Sequence, residues 1–145
     1  MTRAEIREHI FKLIFRVEFN TEEEMKLQLE DYFQDEEVNI PEKDEAYIKD
    51  KYLRIYNMID VLDSEINSNS KGWGTDRMGK VELAILRLAV YELKYDDTIP
   101  IAVAIDQAVE LAKKYGKDES NSFVNGVLSS IAKTCENKGD LTDKD

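Results

Sequence analysis

Apolar residues recur along this chain at intervals of three and four, the spacing that gathers side chains on one face of an α-helix. Nowhere is the period-two alternation of a half-buried strand sustained. Ile6, Ile10, Leu13, Ile14 and Val17 share a face and predict a helix over about 3–18. Asn20 and Thr21 interrupt it, and Thr21 with Glu24 has the spacing of a capping box. The helix so capped runs over about 22–34 and turns Met25, Leu29, Tyr32 and Phe33 inward. Beyond Pro41, the seam of Ile48, Tyr52, Ile55, Ile59, Leu62 and Ile66 predicts one long helix over about 42–67. The turn-forming run "NSNSKGWG" at 67–74 closes it.

The next stretch, "VELAILRLAVYEL" at 81–93, is apolar nearly all round. Its only charges, Glu82, Arg87 and Glu92, stand five residues apart and so point about 140° apart in turn. A helix over about 76–95 is therefore the central one, and its charges must reach the surface or find partners. Another helix opens at "TIP" (98–100), carries Ile101, Ile105, Ala108, Ala112 and Tyr115 inward, and stops at Gly116. The last opens near Ser120, read as its N-cap, with Val124, Val127, Leu128 and Ile131 inward. Asn125 and Gly126 sit in the middle of this helix although both are poor helix formers, glycine by about 1 kcal/mol relative to alanine. A close crossing of another helix at Gly126, with Asn125 hydrogen-bonded beside it, accounts for them. The fold class is all-α: a single domain of six to seven helices in two helical halves, about 1–70 and 74–135. A polar, frayed tail follows at 136–145.

Composition narrows the function. A chain of 145 residues buries enough surface to fold without a disulfide or metal. Its lone cysteine, Cys135, fits a reducing, cytoplasmic setting. No apolar run approaches the roughly 20 residues of a membrane span, and charges break the opening "MTRAEIREHIFKLIF", which argues against a signal peptide. The net charge of -11 argues against general nucleic-acid binding while leaving room for a local basic face.

No catalytic or metal site is expected. His9 is the only histidine, and no nucleotide-binding loop or metal-ligand spacing occurs. The acidic runs at 35–37 and 96–97 lack the alternation of a calcium loop. "GWG" at 72–74 reads as a turn with Trp73 as its anchor, and His9 as a surface or interface residue. Arg3 and Arg7 are four apart and project together beside the apolar face of the first helix, with Lys12 and Arg16 a second pair. Phe123 is the first bulky residue of the last helix. It is either core, or an aromatic on which an RNA base stacks at a phosphate-receiving helix end.

Three blocks carry a resemblance: "KVELAILRLAVYEL" (80–93), "IPIAVAIDQAVELAKKYG" (99–116) and "SNSFVNGVL" (120–128), preceded by Trp73 and Arg77. In order and spacing they resemble the NusB family of bacterial transcription antitermination factors, most closely over about 73–128 and more loosely in the first helix. The resemblance implies an all-helical fold without catalysis or cofactor. It implies binding to the boxA element of ribosomal RNA leader transcripts together with NusE, a small-subunit ribosomal protein, and entry into the RNA polymerase elongation complex with other Nus factors. Carried over by position, it places RNA contacts at Arg3, Arg7, Asn121, Ser122 and Phe123, and NusE contacts at Phe15, Phe19, Asp76 and Glu82. Family members include monomers and homodimers.

Two departures stand out. Glu5 and Glu8 interrupt the arginine cluster, and a tyrosine frequent between the halves is replaced near Asn69. With the acidic total, they imply weak RNA binding by this protein alone, the basic NusE supplying much of the phosphate contact. The rival readings are a helical protein-interaction module that never touches RNA, and an accessory to a methyltransferase carried on another chain.

Overall fold

The structure, a computed structural model, describes residues 1–135. The expected frayed tail at 136–145 lies outside them. All regular structure among the described residues is helical: α1 (Arg3–Arg16), a 3-10 turn (Val17–Phe19), α2 (Glu22–Gln34), α3 (Glu42–Tyr56), α4 (Ile59–Asn69), α5 (Lys80–Tyr95), α6 (Ile101–Tyr115) and α7 (Ser120–Ala132). They fall into two compact units, Met1–Asn57 and the chain from Met58 onward.

In the first unit α1 packs on α3 through Ile10, Leu13 and Ile14 on one side and Ile48, Tyr52 and Ile55 on the other, all buried. The starts of α1 and α2 are set in the same way. Thr2 and Glu5 form a capping box, as do Thr21 and Glu24. In each box the threonine hydroxyl accepts the glutamate's backbone N–H while the glutamate carboxylate accepts the threonine's, satisfying donors that a helix start leaves open. Glu5 thus serves the start of α1. Two hydrogen bonds to Thr2, the backbone one first, hold its carboxyl below the usual carboxylate range. Arg16 ties α1 to α2, with Nη1 donating to Gln28 at 2.8 Å and its guanidinium lying 4.9 Å from the centre of the Tyr32 ring.

The expected single helix over 42–67 is two helices. α3 ends at its cap Asn57 and the chain leaves helical geometry at Met58, so α3 belongs to the first unit and α4 to the second. The boundary between units falls there rather than near residue 70. The apolar seam itself is present, with Ile48, Tyr52, Ile55, Leu62 and Ile66 buried. Its spacing of four and three runs unbroken across the joint, so periodicity alone does not show the break.

In the second unit α5 packs against α4, α6 and α7. Every residue from Leu83 to Leu93 is buried, the central position expected from its all-round apolarity. Arg87 meets Asp63 of α4 in a two-pronged ion pair, Nε–Oδ1 2.8 Å and Nη2–Oδ2 2.7 Å. Lys94 pairs with Glu65 at 2.8 Å. Pro41 and Pro100 stand at the caps of α3 and α6.

Gly116 does not end α6 in the left-handed conformation that such a glycine suggests, since its φ is -93°. Space requires it instead. A Cβ there would lie 2.5 Å from the Cβ of Ser120 and 2.7 Å from the carbonyl oxygen of Ala112. Gly126 shows the reverse. It is exposed, and among the described residues nothing stands within 4 Å of where its Cβ would be. Among the described residues the close helix crossing expected at Gly126 is absent, and Asn125 is exposed rather than buried beside it.

Candidate functional site

In the second unit the hinge between α4 and α5 builds an ordered turn. Ser70 accepts the backbone N–H of Trp73 at 3.1 Å, and its hydroxyl donates to the Trp73 carbonyl at 2.5 Å. The Asn67 carboxamide oxygen accepts the N–H of Thr75 at 2.8 Å. Lys71 and Gly72 take positive φ, 50° and 90°, to close the turn. The Trp73 backbone is therefore held, yet its side chain is 57% exposed. It does not anchor the turn, as the sequence suggested; Ser70 and Asn67 do.

Beside this turn lies a groove of about 660 Å³, lined by Trp73, Arg77 and Met78 and by Lys117 and Phe123. At its floor the N-terminal ends of α5 and α7 are joined. The Ser120 hydroxyl donates to the Glu82 carboxylate and accepts the backbone N–H of Lys117 at 2.8 Å. Ser120 is thus the first helical residue of α7 and a floor group of the groove, not the N-cap, which is Glu119. Glu82, assigned to the partner surface, is half-buried and accepts the Ser120 hydroxyl.

The residues assigned to RNA fall apart by face. Phe123, half-buried, opens into the Trp73 groove. Asn121 and Ser122 line a second depression, of about 500 Å³, with Ile105, Asp106 and Lys113 of α6. Steps of about 100° per residue send neighbours in one helical turn to different faces. In the first unit, Arg3 is exposed. Arg7 is not: it is 6% exposed and engaged by other groups of the chain. The expectation that Arg3 and Arg7 project together is therefore not met. Of the two interrupting acids, Glu5 is the capping acid of α1 and Glu8 lies 3.8 Å from Lys12.

The remaining assigned residues are an aromatic pair and an acid. Phe15 and Phe19 stack with ring centres 5.1 Å apart, continuing from buried Phe11, and Phe19 is 58% exposed. Asp76 is exposed on the turn before α5. His9 is half-buried, with Nδ1 2.5 Å from the Tyr32 hydroxyl. Burial first, and then Lys12, hold its pKa below the ordinary value, against Glu8 and Glu5. Asn69, at the position noted for its departure, accepts the Ser130 hydroxyl at 2.6 Å and so joins α4 to α7. No group of three or more metal-ligating side chains is found among the described residues, and no helix among them is long and apolar enough to cross a membrane.

The groove residues Trp73, Arg77 and Lys117 were not assigned a binding role from the sequence. The signal for Trp73 was its place in a turn of Gly, Ser and Asn, where a large apolar ring has little to pack against.

Residues 4–133 match the model of the NusB family. The chain is 52% identical over 132 residues to transcription antitermination protein NusB of Agathobacter rectalis, covering 91% of this chain and 100% of that one. It is 46% identical over 131 residues to the protein of the same name from Lachnoclostridium phytofermentans, covering 90% and 98%. Among solved structures, NusB of T. maritima superposes with a TM-score of 0.77 at 32% identity, covering 92% of each chain. A chain in a crystal structure of a plectonemic RNA supercoil gives 0.76 at 32% identity, covering 91% of this chain and 94% of that one.

Proposed function

Because the chain belongs to the NusB family, we propose that it acts as a transcription antitermination factor. In this reading it binds boxA RNA of ribosomal RNA leaders together with NusE and joins the RNA polymerase elongation complex with other Nus factors. It performs no catalysis. The observation that carries the reading is the family match, which runs over nearly the whole described chain and joins relatives that bear the antitermination name. The fold shared with a chain in a crystal structure of RNA supports RNA as the ligand.

Exposure favours some of the assigned residues over others. Arg3 is free to meet a phosphate, whereas Arg7 supports α1 from within. Phe123, at the groove, is the aromatic for a splayed base. Asn121 and Ser122 contact RNA only if it also crosses the depression beside α6. For NusE, exposed Phe19 backed by Phe15 is the apolar contact in the first unit, and exposed Asp76 is a charged one in the second. The excess of acid over base in this chain suits a basic partner.

The test is a titration at fixed salt with a boxA-containing RNA and a scrambled control, with and without purified NusE. Preference for boxA that strengthens with NusE is expected. Absence of that preference even with NusE bound leaves a helical protein-interaction module and overturns the reading. Charge reversal at Arg3 should weaken RNA binding and spare NusE. The same change at Arg7 instead tests folding, because it buries a reversed charge.

A further inference from the structure

The Trp73 groove holds a combination that the fold itself does not explain. An indole is left 57% exposed although its backbone is fixed by Ser70 and by the turn that Asn67 braces. A structural tryptophan gains by burial, since its ring removes 150 Å² or more from water, roughly. Trp73 instead exposes its indole at a groove that a second aromatic, Phe123, also lines. Two exposed cations, Arg77 and Lys117, stand at the same rim, and neither is in an ion pair among the described residues. Exposed Asp118 and Glu119 lie there too, while the Glu82 carboxylate is taken by Ser120.

A flat ring needs a flat partner, and unpaired cations need an anion. A polyphosphate meets the cations but leaves the rings unused and faces the two rim carboxylates. An apolar helix covers the rings but strands the charges. One nucleotide unit of a single strand satisfies both, with a base for the indole and a single phosphate for the cations. The rim carboxylates are then available to accept N–H groups from the base edge.

We propose that Trp73, with Phe123, Arg77 and Lys117, forms a subsite for one unstacked nucleotide of single-stranded RNA. The base lies on the indole and the adjoining phosphate on the two cations. The proposal rests on the RNA-binding reading and adds to it Trp73 as the stacking platform. Pre-fixing the turn matters, because a ring on a backbone already held has only its two side-chain torsions left to lose when a base arrives.

Trp73 is the only tryptophan in the chain, so its fluorescence reports this site alone. The experiment titrates the full protein, with and without NusE, with fluorophore-labelled boxA RNA. Anisotropy of the label follows total binding while indole emission follows the subsite. Quenching that tracks the anisotropy is expected. Trp73→Ala should weaken binding about tenfold or more, and Trp73→Phe should restore most of it, with circular dichroism and melting of both variants matching the parent. Binding seen by anisotropy with unchanged emission, or with undiminished affinity in Trp73→Ala, overturns the subsite and leaves the RNA reading standing. Quenching by NusE in the absence of RNA assigns the groove to a protein partner and overturns the subsite as well. No anisotropy change with or without NusE overturns the RNA reading and the subsite together.

Discussion

Gly126 is where residue-level reasoning from the sequence goes most clearly astray. A glycine inside a helix invites the inference that something packs against it, yet here its Cβ position is open. The propensity cost is therefore uncompensated by packing, and Gly126→Ala should stabilise the chain by about 0.5–1 kcal/mol. That corresponds to a rise in melting temperature of about 2–4 °C. A fall on calorimetric melting would show that close packing was right after all. Sequence showed that position 126 was unusual, but the three-dimensional neighbourhood gave the sign. His9 is a similar case. Its type and its partner across 23 residues, Tyr32, were not linked by any local pattern. With its folded pKa depressed, the unfolded chain takes up a proton first as pH falls through about 6.5. The stabilising contribution of neutral His9 is thus complete above that pH and is lost below it. Urea unfolding at pH 7.5 and pH 5 should show a larger loss for the parent than for His9→Gln, in which this titration is gone.

At the scale of elements, helix identity was legible and helix junctions were less so. The capping box at Thr21, the prolines before α3 and α6, and the all-apolar α5 each followed from local chemistry that tertiary structure did not override. The break at Asn57–Met58 was hidden because the seam on either side keeps one phase. Gly116 was read as a stop for the right helix but for the wrong physical reason. The glycine is required by the approach of Ser120 and of the Ala112 carbonyl, not by a positive φ. Gly116→Ala should accordingly destabilise by about 1–3 kcal/mol through overpacking, since a backbone carbonyl cannot move aside cheaply. It should also loosen the Ser120–Glu82 floor. The buried charges of α5 were foreseen as needing partners, and Asp63 is the partner of Arg87. Asp63→Ala removes both prongs of the ion pair from a guanidinium that is 5% exposed and should lower stability in denaturant unfolding by about 1.5–3 kcal/mol, the range for hydrogen bonds to a charged group. Adding Arg87→Met should recover part of that loss. No recovery would mean that the carboxylate, rather than the buried cation, carries the effect.

At the scale of the whole molecule, charge decides how RNA binding can work. The chain carries 31 acids against 20 bases, and the start of α2 alone is Glu22-Glu23-Glu24. The exposed cations proposed to meet RNA are few: Arg3 in the first unit, Arg77 and Lys117 in the second. Arg7 adds nothing to that count because it is buried. Each single-strand phosphate neutralised contributes about 0.7 to the slope of log K against log salt, so three contacts give a slope of about -2. The rest of the affinity must then come from stacking, which salt barely touches. The isolated protein should therefore bind RNA weakly, with a shallow salt dependence. The complex with a basic partner should bind more tightly and with a visibly steeper slope, because the added phosphate contacts belong to the partner. Measuring K from about 50 to 200 mM salt for the protein alone and for the pair separates the two contributions. Equal slopes would mean that the partner adds orientation or stacking rather than charge. A steep slope for the protein alone would place a basic face on a chain whose sequence and surface both argue against one.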